Sequence, residues 1–403
     1  MPEQNKIISP IHDVIADFRA GRMVIIVDDE SRENEGDIAI ATEMVTPESL
    51  AFMMTEARGL ICVSISQDVA ERLKLFPQVD TNNSRYGTPF TSTVDHSSVV
   101  SESATATARA FTMQRLIAED AKPNEFVTPG QVFPLVAHPR GVLGRRGQTE
   151  GSFDLARLAG LKPSGIICEV LNPDGTMARG RDLISFAERH NLKIVSVEAI
   201  TKHIVTFETF VREVAREKKL TDYGEFLVSV FESDVDNREH LALQYGDLFG
   251  SSEPPLVRIH SECLTGDVFS SRRCDCGSQL AEAMDKIVEN GSGVVLYLRQ
   301  EGRGIGLLNK LRAYELQDKG KDTVEANLEL GFEADARDFA VAAKILLDLG
   351  IKELRLMTNN PKKVETLESF GIEVVERVPI IQPSDEYNSR YLETKRTKLG
   401  HIL

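Results

Sequence analysis

Three of the five cysteines in this chain lie within fourteen residues of one another. Cys263 is followed after ten residues by Cys274, and a single aspartate separates Cys274 from Cys276. Thiols separated by one residue pair poorly with each other, but both thiolates can bind one tetrahedral zinc ion. With His260 as a fourth ligand the site would be closed and structural, whereas with three ligands it would be catalytic. Zinc in the open arrangement lowers the pKa of bound water to ~7.

Two segments after the cysteines carry groups suited to phosphate. Residues 300–306 read QEGRGIG, between the apolar segment GVVLYL and the helix-like segment LLNKLRAYELQDKG. A glycine-rich turn from strand to helix exposes backbone N–H groups to an anion, although an ordinary tight turn has the same pattern. Arg303 within the turn and Arg258 before the cysteines favour the anion. Residues 358–363, TNNPKK, again place hydroxyl, amide and ammonium groups where a helix begins. Neither the P-loop pattern nor the dinucleotide fingerprint is present.

Two acidic segments each fit two interpretations. Residues 333–338, EADARD, enter a helical segment, where an aspartate is commonly only a cap. Their chemistry alone does not identify a base or a nucleophile. Residues 28–37, DDESRENEGD, contain six carboxylates directly after the strand-like MVIIV. This run is either a solvated turn or a site for a hard cation such as Mg²⁺.

Short apolar runs alternate with amphipathic stretches along the whole chain, which predicts a mixed α/β fold in both halves. Strands are predicted over 23–27, 60–65, 166–170, 194–197, 225–231, 240–245 and 354–357. Helices are predicted over 47–57, 105–120 and 181–189, with a linking helix over 201–220. Gly291, Gly320, Gly350 and Gly371 are predicted to end later helices. We predict two domains, 1–205 and 206–403.

Composition limits the class of function. A chain of 403 residues exceeds one hydrophobic core, and a net charge of −15 argues against binding a nucleic acid backbone. A small anionic substrate remains compatible with a local cationic pocket. The printed sequence has no apolar run approaching the ~18 residues that span a bilayer, and its first residues lack a secretion-signal pattern. We expect a cytoplasmic protein without disulfides or membrane contact.

The combination HSECLTGD, RCDCG, RQEGRGIGL and TNNPKK resembles GTP cyclohydrolase II of riboflavin biosynthesis, over residues 209–403. The resemblance implies that Cys263, Cys274 and Cys276 bind zinc. It assigns the base to Asp335, a nucleophilic role to Arg337, and a place near the guanine to Tyr314. It implies GTP contacts at Arg258, Glu262, Gln279, Glu301, Arg303, Thr323, Thr358 and Lys363.

The reaction implied by this resemblance opens the imidazole ring of GTP and releases formate and pyrophosphate. Arg337 is implied to attack the α-phosphate. An arginine stays protonated because its pKa exceeds ~12, so electrostatic stabilisation of the α-phosphate explains the same requirement. We expect Mg²⁺ to accompany the nucleotide.

The N-terminal half resembles 3,4-dihydroxy-2-butanone-4-phosphate synthase, which makes the other riboflavin precursor from ribulose 5-phosphate. The acidic run, NNSRYGTPFT and GTMARGRDL carry this resemblance. It implies Mg²⁺ at Glu33 and at a histidine, but this chain has Gln148 in the histidine's place. An amide offers no titratable nitrogen for proton transfer. Other implied site residues are retained, namely Arg32, Asp37, Cys62 and Glu169.

Three more segments depart from the synthase pattern. Ser101-Glu102-Ser103 stands where Thr-Thr-Gly is expected, Ala108-Arg109 replaces Asp-Arg, and Gln131 replaces a second histidine. A carboxylate at Glu102 would repel a sugar phosphate. The sequence therefore predicts a GTP cyclohydrolase II whose N-terminal synthase domain is impaired or inactive.

Two alternatives stay open at this point. The chain could be bifunctional, with Gln148 still serving the synthase reaction. It could also be a non-enzymatic regulatory protein whose zinc has four protein ligands. Because the synthase family builds its site across two subunits, the resemblance further implies a homodimer.

Overall fold

A computed structural model describes residues 8–29, 32–250, 253–332, 337, 339–383, 386 and 388–402 of the chain. Contacts between Cα atoms divide the molecule into two compact units, Met1–His203 and Ile204–Leu403. The domain bounds 1–205 and 206–403 stay a prediction, two residues beyond this division. No helix in the described ranges combines the length and apolar composition needed to cross a lipid bilayer.

The first unit alternates strands and helices. Its strands are β1 (Val24–Val27), β2 (Gly36–Ala41), β3 (Cys62–Ile65), β4 (Val94–His96), β5 (Phe126–Val136), β6 (Gly165–Glu169) and β7 (Lys193–Ser196). Its helices are α1 (Ile11–Arg19), α2 (Pro47–Phe52), α3 (Gln67–Leu73), α4 (Ala106–Leu116), α5 (Gln148–Leu158), α6 (Arg181–His190) and α7 (Val197–Phe207), which crosses the division.

The strands of the first unit form one mixed sheet in the order β4-β5-β3-β6-β2-β1-β7. Strands β2 and β6 are antiparallel neighbours, and their register places Asp37 opposite Glu169. The core of this unit packs apolar side chains of the sheet, such as Ile38 and Ile166, against helical residues such as Met113, all fully buried. The sheet thereby brings two carboxylates from distant parts of the sequence together.

The second unit contains the cysteine cluster. Its strands are β8 (Val211–Thr221), β9 (Gly224–Ser233), β10 (Arg238–Tyr245), β11 (Leu256–Ser261), β12 (Gly293–Leu298), β13 (Glu353–Met357) and β14 (Glu373–Val378). Its helices are α8 (Leu264–Asp267), α9 (Cys276–Glu289), α10 (Gly306–Asp318), α11 (Thr323–Glu329), α12 (Ala340–Asp348), α13 (Pro361–Ser369) and α14 (Ser389–Leu399).

The second sheet is half parallel and half antiparallel, in the order β14-β13-β11-β12-β10-β9-β8. Strands β14, β13, β11 and β12 run parallel, whereas β10, β9 and β8 form antiparallel pairs. The carboxyl ends of parallel strands meet at one edge of a sheet, where α/β proteins usually bind ligands. Here that edge collects the segments that follow β11, β12 and β13.

The prediction of a mixed α/β fold in both halves is confirmed, with a seven-stranded sheet in each described unit. The four glycines predicted to end helices all have positive φ, between 81° and 107°. The long linking helix is wrong in its second half, because α7 ends at Phe207 and β8 begins at Val211. Strand β8 lies at the sheet edge with both faces exposed, so its sequence shows no alternation. Its Glu, Arg and Lys residues favour helix locally, and pairing with β9 overrides that preference.

Candidate active site

The three cysteines converge after the carboxyl end of β11. Cys263 caps the start of α8, and Cys276 is the first residue of α9. Each contributes a sulfur to a group whose atoms all lie within 4.8 Å of one another, with Cys274 the third member. In the described part of the chain, His260 does not join this group. Its Nε2 lies 3.0 Å from a carboxylate oxygen of Asp267. Three thiols without a fourth ligand among the described residues fit an open, catalytic zinc site.

Buried polar groups hold Cys263 in place. Asp267 Oδ2 accepts hydrogen bonds from the Cys263 amide at 2.9 Å and from the Tyr297 hydroxyl at 2.8 Å. Lys310 Nζ lies 3.0 Å from Cys263 Sγ and donates to Glu301 Oε1 at 2.7 Å. The neighbouring thiols and the ammonium hold the pKa of Cys263 well below its usual range. Hydrogen bonding to Cys263 raises the pKa of Cys274 and that of Cys276. An ammonium beside Cys263 favours the thiolate form of this sulfur, which is the form that binds metal.

Cationic and amide groups line the adjacent phosphate-sized space. Arg258 on β11 is 6% exposed, and its guanidinium donates to Met357 O at 2.9 Å and to Gln279 Oε1 at 2.7 Å. Burial lowers the pKa of Arg258 to about 10, so it stays charged near neutral pH. Lys363, in the first turn of α13, donates to Ile259 O at 2.8 Å. Both cations are held by backbone carbonyls at the carboxyl edge of the sheet.

The glycine-rich turn adopts a conformation that needs its glycines. Gly302 and Arg303 have φ values of 62° and 61°, in the left-handed region. A non-glycine residue is uncommon in this region, so the surrounding turn must hold Arg303 there. The turn holds Arg303 against both cavities described next. Binding of an anion at this turn stays a prediction.

Two adjoining cavities gather the predicted residues of the second unit. A metal chamber is lined by Glu262, Cys263, Cys274, Cys276, Glu301, Arg303, Tyr314, Thr323 and Arg337, among others. A phosphate chamber is lined by Arg258, Cys276, Gln279, Arg303, Arg337, Thr358 and Lys363, among others. Arg303 and Arg337 line both chambers and stand where the two meet. Asp335, the predicted base, lies outside the described residues.

Sequence reasoning missed several residues of these chambers. They are Lys310, Tyr391, Lys395 and His401. Lys310 precedes Tyr314 by one helical turn on α10, so helical spacing could have indicated that the two share a face. Tyr391, Lys395 and His401 carry no comparable signal, because only the tertiary fold brings the chain's last helix to this edge.

The N-terminal site is a cluster of carboxylates at the ends of β1, β2 and β6. Burial first, then Glu169, Glu33 and other neighbouring carboxylates, raise the pKa of Asp37. Burial likewise raises the pKa of Glu169, whose Oε2 accepts a hydrogen bond from the Leu60 amide at 2.7 Å. Cys62 on β3 is buried, and burial raises the pKa of its thiol. The retained residues are thus brought together, as the resemblance implied.

The guanidinium of Arg32 contacts both candidate magnesium ligands of this site, Glu33 and Gln148. Its Nη1 donates to Gln148 Oε1 at 3.1 Å and to Asp28 Oδ2 at 2.6 Å. Its Nη2 lies 3.0 Å from Glu33 Oε1. Gln148 is 5% exposed at the start of α5, so its amide has little freedom to turn elsewhere. In this arrangement a divalent cation that used Glu33 Oε1 and Gln148 Oε1 would have to displace the Arg32 guanidinium from both atoms.

Comparisons with known proteins cover nearly the whole chain. Residues 12–203 match the family model of 3,4-dihydroxy-2-butanone 4-phosphate synthase, and residues 212–379 match that of GTP cyclohydrolase II. A riboflavin biosynthesis protein RibBA of Bacillus cereus is 50% identical over 98% of both chains. The RibBA of Aquifex aeolicus is 50% identical over 97% of both chains.

One solved structure is similar to this chain over most of its length. RibBX of A. baumannii, described as a two-domain 3,4-dihydroxy-2-butanone 4-phosphate synthase, is 34% identical. It matches 94% of this chain and 100% of its own, with a TM-score of 0.69. With a synthase domain followed by a GTP cyclohydrolase II domain, the chain belongs to the RibBA family of riboflavin biosynthesis proteins.

Proposed function

We propose that the second unit is a working zinc-dependent GTP cyclohydrolase II. It would convert GTP to 2,5-diamino-6-(5-phosphoribosylamino)pyrimidin-4(3H)-one, formate and pyrophosphate. The observation that carries this proposal is the junction of a three-thiol cluster with a chamber lined by several cations. This reaction requires two parts: a metal site for opening the purine ring and a cationic site that binds the triphosphate.

Cys263, Cys274 and Cys276 would hold the zinc. Bound there, zinc supplies Lewis acidity toward the guanine ring and its attacking water. Lys310 and Asp267 fix Cys263 as an oriented thiolate through the hydrogen bonds given above. Tyr314, on the wall of the metal chamber, would pack near the guanine. We propose Asp335 as the base that moves protons during ring opening.

Arg258, Arg303 and Lys363 would bind the triphosphate electrostatically. The Thr358 hydroxyl lines the same chamber, just before the start of α13. Gln279 orients Arg258, while Glu262, Glu301 and Thr323 line the nucleotide side of the metal chamber. Arg337 stands at the junction of the chambers, so we propose that it stabilises charge on the α-phosphate. Mg²⁺ would accompany the nucleotide.

The test is an assay of the full-length, zinc-loaded protein with GTP and Mg²⁺. We expect formate and pyrophosphate in equal amounts. Cys274→Ser should lose zinc and both products, whereas Lys321→Met, which removes an exposed ion pair with Glu329, should keep them. Zinc-loaded wild-type protein that forms neither product would overturn the proposal. X-ray absorption that finds four protein ligands on zinc would favour the non-enzymatic alternative.

We propose further that the N-terminal unit does not catalyse the synthase reaction. Arg32 binds both Glu33 and Gln148, and an amide replaces the titratable histidine at 148. A divalent cation would have to displace a partly buried, charge-assisted contact before it could bind ribulose 5-phosphate. The bifunctional alternative rests on the family membership and on the retained Asp37, Cys62 and Glu169.

Consumption of ribulose 5-phosphate decides between these two hypotheses. We expect wild-type protein to form no dihydroxybutanone phosphate from it in the presence of Mg²⁺. Turnover by the wild type would establish the bifunctional enzyme. Gln148→His alone should not restore activity, because Ser101–Ser103 and Gln131 also depart from the synthase pattern. We also propose a homodimer, which a measurement of molecular mass in solution would test.

A further inference from the structure

The last helix of the chain lies against the phosphate chamber. Helix α14 begins at Ser389, ten residues after the GTP cyclohydrolase II match ends at residue 379. Its Tyr391 lines both chambers, and its Lys395 lines the phosphate chamber. His401, just beyond the helix, lines the phosphate chamber as well. All three side chains lie outside residues 212–379, the part of the chain that matches the GTP cyclohydrolase II family model.

Lys395 begins a chain of buried contacts that ends at Arg258. Its Nζ donates to Asp275 Oδ1 at 2.6 Å, and both side chains are at least nine-tenths buried. Asp275 Oδ2 accepts from Gln279 Nε2 at 2.7 Å, and Gln279 Oε1 accepts from Arg258 at 2.7 Å. Asp275 is also the residue between Cys274 and Cys276. One lysine of the last helix therefore supports the metal segment and a phosphate-binding arginine together.

Two further attachments fix the segment over the chambers. The amide of Ile402 donates to Asn359 O at 2.8 Å, beside the start of α13. Lys398 pairs with Asp322 and Glu325 of α11, whose first helical residue is Thr323. Helix α14 is thus attached to both walls that would contact the nucleotide.

The surroundings of this segment favour an anion. Tyr391 lies under the Arg303 guanidinium, with 5.9 Å between the guanidinium carbon and the ring centre. Burial first, then nearby cations, lower the pKa of His401 to about 3. Those cations are Lys395, Arg337, Lys363 and Arg303. A neutral imidazole among positive groups marks a region of positive potential, where a triphosphate would be attracted.

We propose that residues 389–402 form a functional wall of the nucleotide site. Lys395 is its positioning residue, acting on Arg258 through Asp275 and Gln279. Tyr391 and His401 contact the phosphates of the bound nucleotide where the two chambers meet. This inference rests on the proposed GTP cyclohydrolase II function and adds to it a segment outside the family match.

The first test compares Lys395→Met with Arg396→Gln in the full-length, zinc-loaded protein. Arg396 is the next residue, but its guanidinium is exposed and bonds to Glu393 of the same helix. Removing the Lys395 ammonium leaves Asp275 buried without its ion pair, so Arg258 loses its orientation. We expect the KM for GTP to rise at least tenfold in Lys395→Met, with largely restored KM in Lys395→Arg. Equal KM values in Lys395→Met and Arg396→Gln would overturn the positioning role.

A second test does not depend on the folding of the Lys395 variant. The chain has seven tyrosines but no tryptophan, so Ile402→Trp introduces a single tryptophan beside the phosphate chamber, which can be excited selectively. Ile402 is 50% exposed, which leaves room for the larger ring. We expect its emission to change when GTP or inorganic triphosphate is added. The control is Phe207→Trp, at an exposed position at the end of α7, which should not respond.

The outcomes separate the two proposals. If the emission of Ile402→Trp does not change at GTP concentrations that saturate turnover, the proposal that residues 389–402 form a wall of the nucleotide site is wrong. If the wild type forms no formate from GTP, the proposed function fails. The response to inorganic triphosphate then still decides whether residues 389–402 close an anion site.

Discussion

Lys310 provides the sharpest test of how this chain tunes its metal site. Its ammonium lies 3.0 Å from Cys263 Sγ and 2.7 Å from Glu301 Oε1, and its side chain is 10% exposed. Lys310→Met keeps the apolar stem and removes the charge. The substitution leaves a carboxylate and a thiolate together without their shared cation.

The magnitude follows from distance and burial. At 3.0 Å and an effective dielectric constant of about 20, an ammonium attracts a thiolate by about 5 kcal/mol. Most of this attraction is offset by the cost of burying the ammonium. Loss of a comparable outer-shell partner reduces metal affinity by ~10–100-fold. We therefore expect zinc affinity to fall by one to two powers of ten in Lys310→Met.

Zinc affinity is measured by competition with a colorimetric chelator at fixed pH. Lys321→Met is the matched control, because Lys321 pairs with Glu329 at the surface and lies outside both chambers. Its zinc affinity should equal that of the wild type. Lys310→Met that binds zinc as tightly as Lys321→Met would refute the reasoning, since the ammonium would then contribute nothing to the thiolate cluster.

Three other predictions concern packing and pH. Gly277→Ala would place a methyl carbon 2.3 Å from Gly266 O. We expect denaturant titration to show an unfolding free energy lower by about 1–3 kcal/mol, and metal analysis to show loss of zinc. Phe226→Ala empties a fully buried position of the second core and should cost about 3–5 kcal/mol in the same titration. His401 has a pKa of about 3 when docked, so docking is complete above the ordinary value of 6.5 and weakens as the pH falls toward 3. Emission of the Ile402→Trp variant should follow this change, and His401→Asn in the same background should abolish it.

The sequence predicted the elements with strong periodicity and the residues within strong motifs. The apolar runs that became β1 and β12 are buried strands, because burial on both faces leaves almost only apolar residues acceptable. The motif residues of the second unit, apart from Asp335, line two adjoining chambers. Their proximity follows from parallel strands whose carboxyl ends share one edge.

The remaining features depend on tertiary context. Strand β8 is exposed on both faces, so neither alternation nor hydrophobicity distinguishes it from a charged helix. Nothing in the local sequence distinguishes Lys395 from other lysines of an amphipathic helix, because its acceptor, Asp275, is 120 residues away. Arg32 and Gln148, which also contact each other, are 116 residues apart in the sequence. Such long-range pairs leave no local pattern in a single sequence.

The junction of the two chambers also has a consequence for inhibitor chemistry. Five residues line both chambers, namely Ser261, Cys276, Arg303, Arg337 and Tyr391. One molecule can occupy both chambers only by passing these residues. A zinc-chelating fragment and a bisphosphonate fragment would each fill one chamber and bind weakly alone. A short linker between them makes the second binding event intramolecular, which can raise the apparent affinity by ~10²–10⁴-fold. The side chains at the junction thus set the length and polarity of that linker.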